Sequence, residues 1–339
     1  MKLSHLILLV FLLLFATAGH SQTAQDYFEQ GNAMYSAKDL NGAITEYSNA
    51  LVINPVYANA FFNRGIVKSE LKDFRGAIID YNSTIEIEPT FVGAYSNRAV
   101  AKNNLRDYKG AIADFTKSIE QNTPFLSKVY FLRGNIKVVL EDFNGAIADY
   151  TSSIKIDSNF AEVYSVRGVA KSKLQDLAGA MVDFNSSIGV DPRYAVAYLQ
   201  RGIIKPDLQD YMGALADYNM AIEINPYYED AYAKRGLAKL IHEDRTGAIA
   251  DLTKMIEINP KNATGYGLRA YAKRSTDKKG AIEDYTKVIE IIPTFAEYYY
   301  FRGQVRLELG QKNSGCMDFS KAGELGYLQA YDAIKEYCQ

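Results

Sequence analysis

Arginine, lysine and aspartate recur along this chain at a fixed spacing, and among its residues they are best suited to chemistry. Arginine stands at Arg64, Arg98, Arg133, Arg167, Arg201, Arg235, Arg269 and Arg302. Four residues after each come Lys68, Lys102, Lys137, Lys171, Lys205, Lys239, Lys273 and Arg306. An aspartate follows in turn: Asp80, Asp114, Asp149, Asp183, Asp217, Asp251, Asp284 and Asp318. Two chemistries fit these columns. A row of unpaired cations would take acidic ligands. A row of arginine–aspartate pairs would instead tie helices together, since a planar guanidinium matches a carboxylate through two parallel hydrogen bonds. The second fits better, because an unpaired arginine in a packed place is costly. The first copy of the pattern also lacks all three groups together, with Gln30, Met34 and Glu46 in their places. Such pairs need add little net stability and would chiefly fix helix register.

Other reactive groups are sparse. The histidines are His5, His20 and His242, and the last, beside Glu243 and Asp244, reads as a solvated helix end. No cysteine or histidine cluster has the spacing of a metal site. Glycines occur singly rather than as a phosphate-cradling loop, and no carboxylate pair stands out as an acid–base couple. No catalytic residue, cofactor or metal is therefore expected. Net charge is -2, from 38 Lys+Arg against 40 Asp+Glu, without the basic footprint that nucleic acid requires.

The elements that carry these columns are repeats of 34 residues. Gly31 recurs at Gly65, Gly134, Gly168, Gly202, Gly236 and Gly303, with Ala99 and Arg269 or Ala270 filling the gaps. About twelve residues on is a small residue: Ala43, Ala77, Ala111, Ala146, Ala180, Ala214, Ala248, Ala281 and Gly315. Four further on is an aromatic, from Tyr47 and Tyr81 to Tyr285 and Phe319, with Leu252 the exception. A second aromatic column, Tyr27, Phe61, Tyr95, Tyr130, Tyr164, Tyr198, Tyr232, Tyr266 and Tyr299, precedes the glycines by four. Small residues on two antiparallel helices let the backbones approach, and both aromatic columns are expected to fill the core beside that crossing. Core packing also accounts for much of the abundant tyrosine, 26 residues, better than a carbohydrate-stacking surface. Asp39, Asp73, Asp107, Asp142, Asp176, Asp210, Asp244 and Asp277 are placed to cap each second helix, where they also suit its dipole. Prolines such as Pro55, Pro89 and Pro226 close units, because proline cannot continue a helix. Pro206 should end the first helix of its unit early. An insertion falls near residues 121–127 and a deletion near 275–279.

At these residues the chain resembles the tetratricopeptide repeat (TPR) family over residues 24–326. The resemblance implies an all-α solenoid, a right-handed superhelix of helix-turn-helix hairpins, since one hairpin cannot bury both apolar faces alone. Nine repeats are expected, at 24–57, 58–91, 92–126, 127–160, 161–194, 195–228, 229–262, 263–295 and 296–326. A capping helix over 327–339 is expected to turn Tyr327, Leu328, Tyr331, Ile334 and Tyr337 inward. Cys316 and Cys338 lie about ten residues before and twelve after a turn near Gly326, which brings helix ends level at 1.5 Å per residue. In an exported protein that favours a disulfide over two reduced thiols.

By the same resemblance, first helices line a concave groove. Carried over position by position, its candidate residues are Asn32, Asn63, Asn97, Asn103, Asn104, Asn135, Lys234, Leu237, Leu240, Ile241 and Arg274. Asparagine both donates and accepts, which suits an extended peptide's backbone; ordinary solvated surface is the alternative. The Lys/Asn/Arg set with which some family members clamp a C-terminal carboxylate does not occur over three successive repeats. The N-terminus reads as a signal peptide, 1–21: Lys2, then an apolar run from Leu6 to Ala18 broken by Thr17, then small residues through Ser21. That run is too short to span a bilayer, and no cysteine lies near for lipidation. The expectation is an exported, periplasmic or secreted protein, soluble after cleavage, with no membrane insertion. It would be a scaffold for a protein or peptide. A peptide-holding chaperone or adaptor, or a non-catalytic subunit of an envelope or secretion complex, is the alternative.

Overall fold

The structure, a computed structural model, describes residues 22–338, so the expected signal peptide lies outside it. The described residues form α-helices joined by turns, with no strand. They divide into two compact units.

The first unit, ending at Ser158, holds four antiparallel hairpins. These are α1 (Ala24–Ser36) with α2 (Leu40–Ile53), α3 (Ala58–Glu70) with α4 (Phe74–Ile87), α5 (Ala94–Asn104) with α6 (Tyr108–Glu120), and α7 (Leu126–Val139) with α8 (Phe143–Ile156). The second unit holds five more: α9 (Ala161–Lys173) with α10 (Leu177–Val190), α11 (Ala195–Ile204) with α12 (Tyr211–Ile224), α13 (Glu229–Ile241) with α14 (Arg245–Ile258), α15 (Ala263–Lys273) with α16 (Lys278–Ile291), and α17 (Ala296–Glu308) with α18 (Lys312–Glu324). A last helix, α19 (Gln329–Tyr337), follows. Within each unit every helix packs against its neighbours in sequence, and first helices of adjacent hairpins also touch, as α3 does α5 and α13 does α15.

Seven of the nine described hairpins turn in three residues, and in six of those two capping motifs overlap. In the first, Lys38 takes a left-handed backbone at φ 64°. Its N–H bonds Tyr35 O, and the Asp39 N–H bonds Met34 O, which satisfies the carbonyls left open at the end of α1. Asp39 at once caps α2, its carboxylate accepting from the Gly42 N–H at 2.9 Å. Lys72, Arg106, Glu141, Gln175, Gln209 and Glu243 repeat this turn. A left-handed residue bearing a side chain costs about 1 kcal/mol, and only in the last hairpin does a glycine, Gly310, hold the place. The deletion before α16 removes the left-handed residue, and Asp277 bonds Lys273 O directly. Pro206 stops α11 at Ile204 and leaves a single 3₁₀ turn, Pro206–Leu208.

The glycine column serves the second helix's aromatic ring more than its small residue. A methyl added at Gly134 would lie 2.6 Å from Cε1 of Tyr150, and one at Gly65 2.7 Å from Cε1 of Tyr81. Those rings are sealed: Tyr47, Tyr81, Tyr150 and Tyr285 keep about 1% of their surface. The other aromatic column departs from the expected core role. Of its nine members Tyr198 and Tyr232 are buried, while the rest are half-buried. From Phe61 to Tyr299 each lies beneath the arginine three residues on, 5.4–5.8 Å from ring centre to guanidinium, a cation–π contact.

The capping helix also departs from expectation. It begins at Gln329 and buries Ala330 and Ala333, while Leu328, Tyr331 and Tyr337 stay 74%, 56% and 46% exposed. Small residues let α19 approach α18 closely, and the Tyr331 hydroxyl donates to Gly323 O from the edge of that contact at 3.0 Å. Cys316 and Cys338 are joined by a disulfide.

Candidate functional site

The arginine–lysine–aspartate columns meet in eight of the nine described hairpins. In each, the aspartate of the second helix is buried and receives Nε and NH2 of the arginine, at 2.8–3.0 and 2.5–2.7 Å. The lysine one turn on reaches the same carboxylate at 2.7–2.9 Å, and Arg306 replaces it in the last hairpin at 2.8 Å. Arg201 and Arg269 titrate above the usual arginine range, chiefly through the hydrogen bonds to Asp217 and Asp284. Arg306 titrates below it, because desolvation outweighs its share of Asp318. The arginine side chains keep only 12–19% of their surface. These cations therefore serve the fold and present little to an acidic ligand.

Within each unit, a third donor of the arginine reaches back to the preceding hairpin. In the first unit NH1 of Arg64, Arg98 and Arg133 bonds Ser48, Asn82 and Thr116 at 2.9, 2.7 and 2.8 Å. In the second, Arg201, Arg235, Arg269 and Arg302 bond Asn185, Asn219, Thr253 and Thr286 at 2.6–3.0 Å. This column was missed in the sequence, although it carries a signal: a Ser, Thr or Asn directly follows every aromatic of the second helix from Tyr47 to Tyr285.

The candidate groove residues fall into three groups. Asn32 and Asn63 come together: the Asn32 Oδ1 accepts from the Tyr47 hydroxyl at 2.8 Å and from Asn63 Nδ2 at 2.9 Å. Asn135 accepts likewise from Tyr150 at 2.7 Å. These bonds fix the amide planes and leave Nδ2 of Asn32 and Asn135 without a protein partner among the described residues. Asn97 and Asn104 are spent on α5 itself, donating to Gly93 O at 2.8 Å and Val100 O at 2.9 Å, and Asn103 is exposed nearby. In the second unit Lys234, Leu237 and Ile241 are exposed on α13, whereas Leu240 packs into the core beside Leu252. Arg274 caps α15, donating to Gln304 Oε1 at 3.2 Å and lying 3.6 Å from Glu308. His242 ends α13 with its ring against Tyr211.

Among the described residues no group of three or more His, Cys, Asp or Glu could hold a metal ion, and no helix is long and apolar enough to cross a membrane.

Tandem two-helix hairpins locked by a glycine–aromatic crossing define a class of helical repeat protein. Residues 31–72 match the family model described as TPR repeat. Among solved structures, the C-terminal part of a TPR repeat-containing protein from Cytophaga hutchinsonii is 18% identical, covering 70% of this chain and 97% of that one with a TM-score of 0.57. A tetratricopeptide repeat protein from Parabacteroides merdae is 21% identical, covering 72% and 95% with a TM-score of 0.52. YrrB, a TPR protein described as having an unusual peptide-binding site, is 20% identical, covering 55% and 95% with a TM-score of 0.48. No curated protein matches the chain. The chain thus carries a TPR-repeat match over residues 31–72 and shares its fold with these TPR proteins.

Proposed function

We propose that this chain is a non-catalytic scaffold that holds a protein or peptide against the first helices of its hairpins. The observation that carries this reading is the set of pre-oriented amides. Tyr47 and Tyr150 hold Asn32 and Asn135 by Oδ1, and each keeps an Nδ2 without a protein partner among the described residues. A fixed donor loses little freedom on meeting a partner's carbonyl. Export to a periplasmic or extracellular compartment is part of the proposal, supported by the short apolar run at residues 6–18 and by the paired cysteines. A peptide-holding chaperone is the second reading, favoured by the exposed Leu237 and Ile241 on α13.

The test is purification of the tagged full chain from its native compartment, with mass spectrometry of what accompanies it. One partner in stoichiometric amount, weakened about tenfold by Asn32→Ala with Asn135→Ala, supports the scaffold. Many unfolded clients, held equally by that variant, would replace it with the chaperone.

A further inference from the structure

Arg245 is one of the arginines that stand outside the ladder. Arg245, the first residue of α14, has no hydrogen bond or ion pair for its guanidinium among the described residues, and its neighbour Asp244 is spent on the Gly247 N–H. Arg245 lines a cleft of about 410 Å³ with Tyr271, Arg274, Ser275, Lys278 and Glu308. Three cations there face one carboxylate. Glu308 is shared between Lys278 at 3.1 Å and Arg274 at 3.6 Å, so the cleft keeps an excess of positive charge.

Arg274 and Glu308 also border a second, larger cleft of about 630 Å³. Its character is different. Tyr300 and Leu307 supply apolar surface over the sealed Phe319, and α19 contributes Ala333, Glu336 and Tyr337. The disulfide to Cys316 fastens the end of that helix. A cationic recess thus adjoins an aromatic one, the two sharing Arg274 and Glu308 as lining, both within the second unit.

We infer that this joined cleft binds an extended peptide segment in which acidic side chains stand next to an aromatic one. The acid meets Arg245 and Lys278, where a carboxylate supplies the charge that Glu308 alone does not balance. The aromatic ring enters between Tyr300 and Tyr337, where apolar burial and ring contacts hold it. The volume exceeds what one side chain fills, which favours a peptide over a small aromatic acid. The assignment rests on the scaffold reading and gives one part of its partner a chemistry.

Fluorescence anisotropy with the full chain tests it. The probes are labelled, C-terminally amidated peptides carrying Glu-Glu-Phe or Phe-Glu-Glu in a glycine–serine background. One order should bind at least tenfold more tightly than its Gln-Gln and its Ala counterparts. Arg245→Glu, on the surface and outside the core, should weaken that binding at least tenfold with an unchanged denaturation midpoint. Equal binding of a Lys-Lys-Phe peptide, an unchanged affinity in Arg245→Glu, or binding of phenylpropionate as tight as the peptide's would each overturn it. If no peptide binds while the native partner still co-purifies, this cleft assignment fails and the scaffold stands. If both are lost, both fail.

Discussion

The first and last described hairpins present the same crossing with opposite polar chemistry. In α1/α2 the sealed tyrosine, Tyr47, donates a hydrogen bond to an asparagine, and the ladder positions are Gln30, Met34 and Glu46. In α17/α18 the sealed ring is Phe319, and beside it two arginines, Arg302 and Arg306, close on the buried Asp318. The reason lies in the arginine's third donor, which reaches back to the hairpin before. Among the described residues no hairpin before α1 offers such an acceptor to position 30. The ladder is therefore a device for joining neighbours as well as for closing a hairpin. At the other end of the described residues α19 packs on α18, and a disulfide fastens it.

The sharpest way to break this comparison is to strip one carboxylate. Asp217→Asn leaves Arg201 and Lys205 without their shared counter-charge, and should destabilise the second unit by about 4 kcal/mol in denaturant titration. Glu46→Gln, at the corresponding place in α2, should cost under about 0.5 kcal/mol. A cycle of Arg201→Leu, Asp217→Asn and the double variant should show strong coupling; simple additivity would sink the pairing.

The next effect belongs to the staple. Replacing Cys316 and Cys338 by serine opens a loop with a sequence separation of 22 and should cost about 3 kcal/mol. The loss should be local, seen as faster amide exchange in α19 with α1 and α2 unchanged. Two reactive thiols in the unreduced, denatured protein would refute the bridge itself.

The smallest effect concerns the link between neighbours. Ser48→Ala removes the acceptor for Arg64 NH1 and should cost about 1 kcal/mol. Gln30→Arg, which adds a ladder arginine where no described hairpin precedes, should gain nothing measurable. A gain equal to the Ser48 loss would show that the preceding hairpin is irrelevant to the ladder.

How far the sequence could be read depended on whether a contact repeats. Asp39, Asp73 and their successors were legible as caps because a cap joins residues three apart. The pairing of Arg64 with Asp80 was legible because seven copies kept a separation of 16, an eighth kept 15, and the first dropped both groups together. The left-handed Lys72 and Glu141 were not, since long polar side chains stand where glycine would have signalled the turn. The inward face of α19 was misjudged for another reason. Periodicity ranked Leu328 and Tyr331 above the alanines by hydrophobicity, whereas close approach to α18 selected Ala330 and Ala333 by size.

By itself the sequence determined the hairpins, their caps and the partners within each ladder, because those rest on short, repeated separations along one chain. Tertiary structure alone decided which aromatics lie under arginines and which are sealed, and which amides of the candidate groove remain unspent. It also brought Arg245, Arg274 and Lys278 around one glutamate. Those groups come from four different helices and their ends, with no periodic signal linking them, and only the packing of successive hairpins sets the distances on which their chemistry depends.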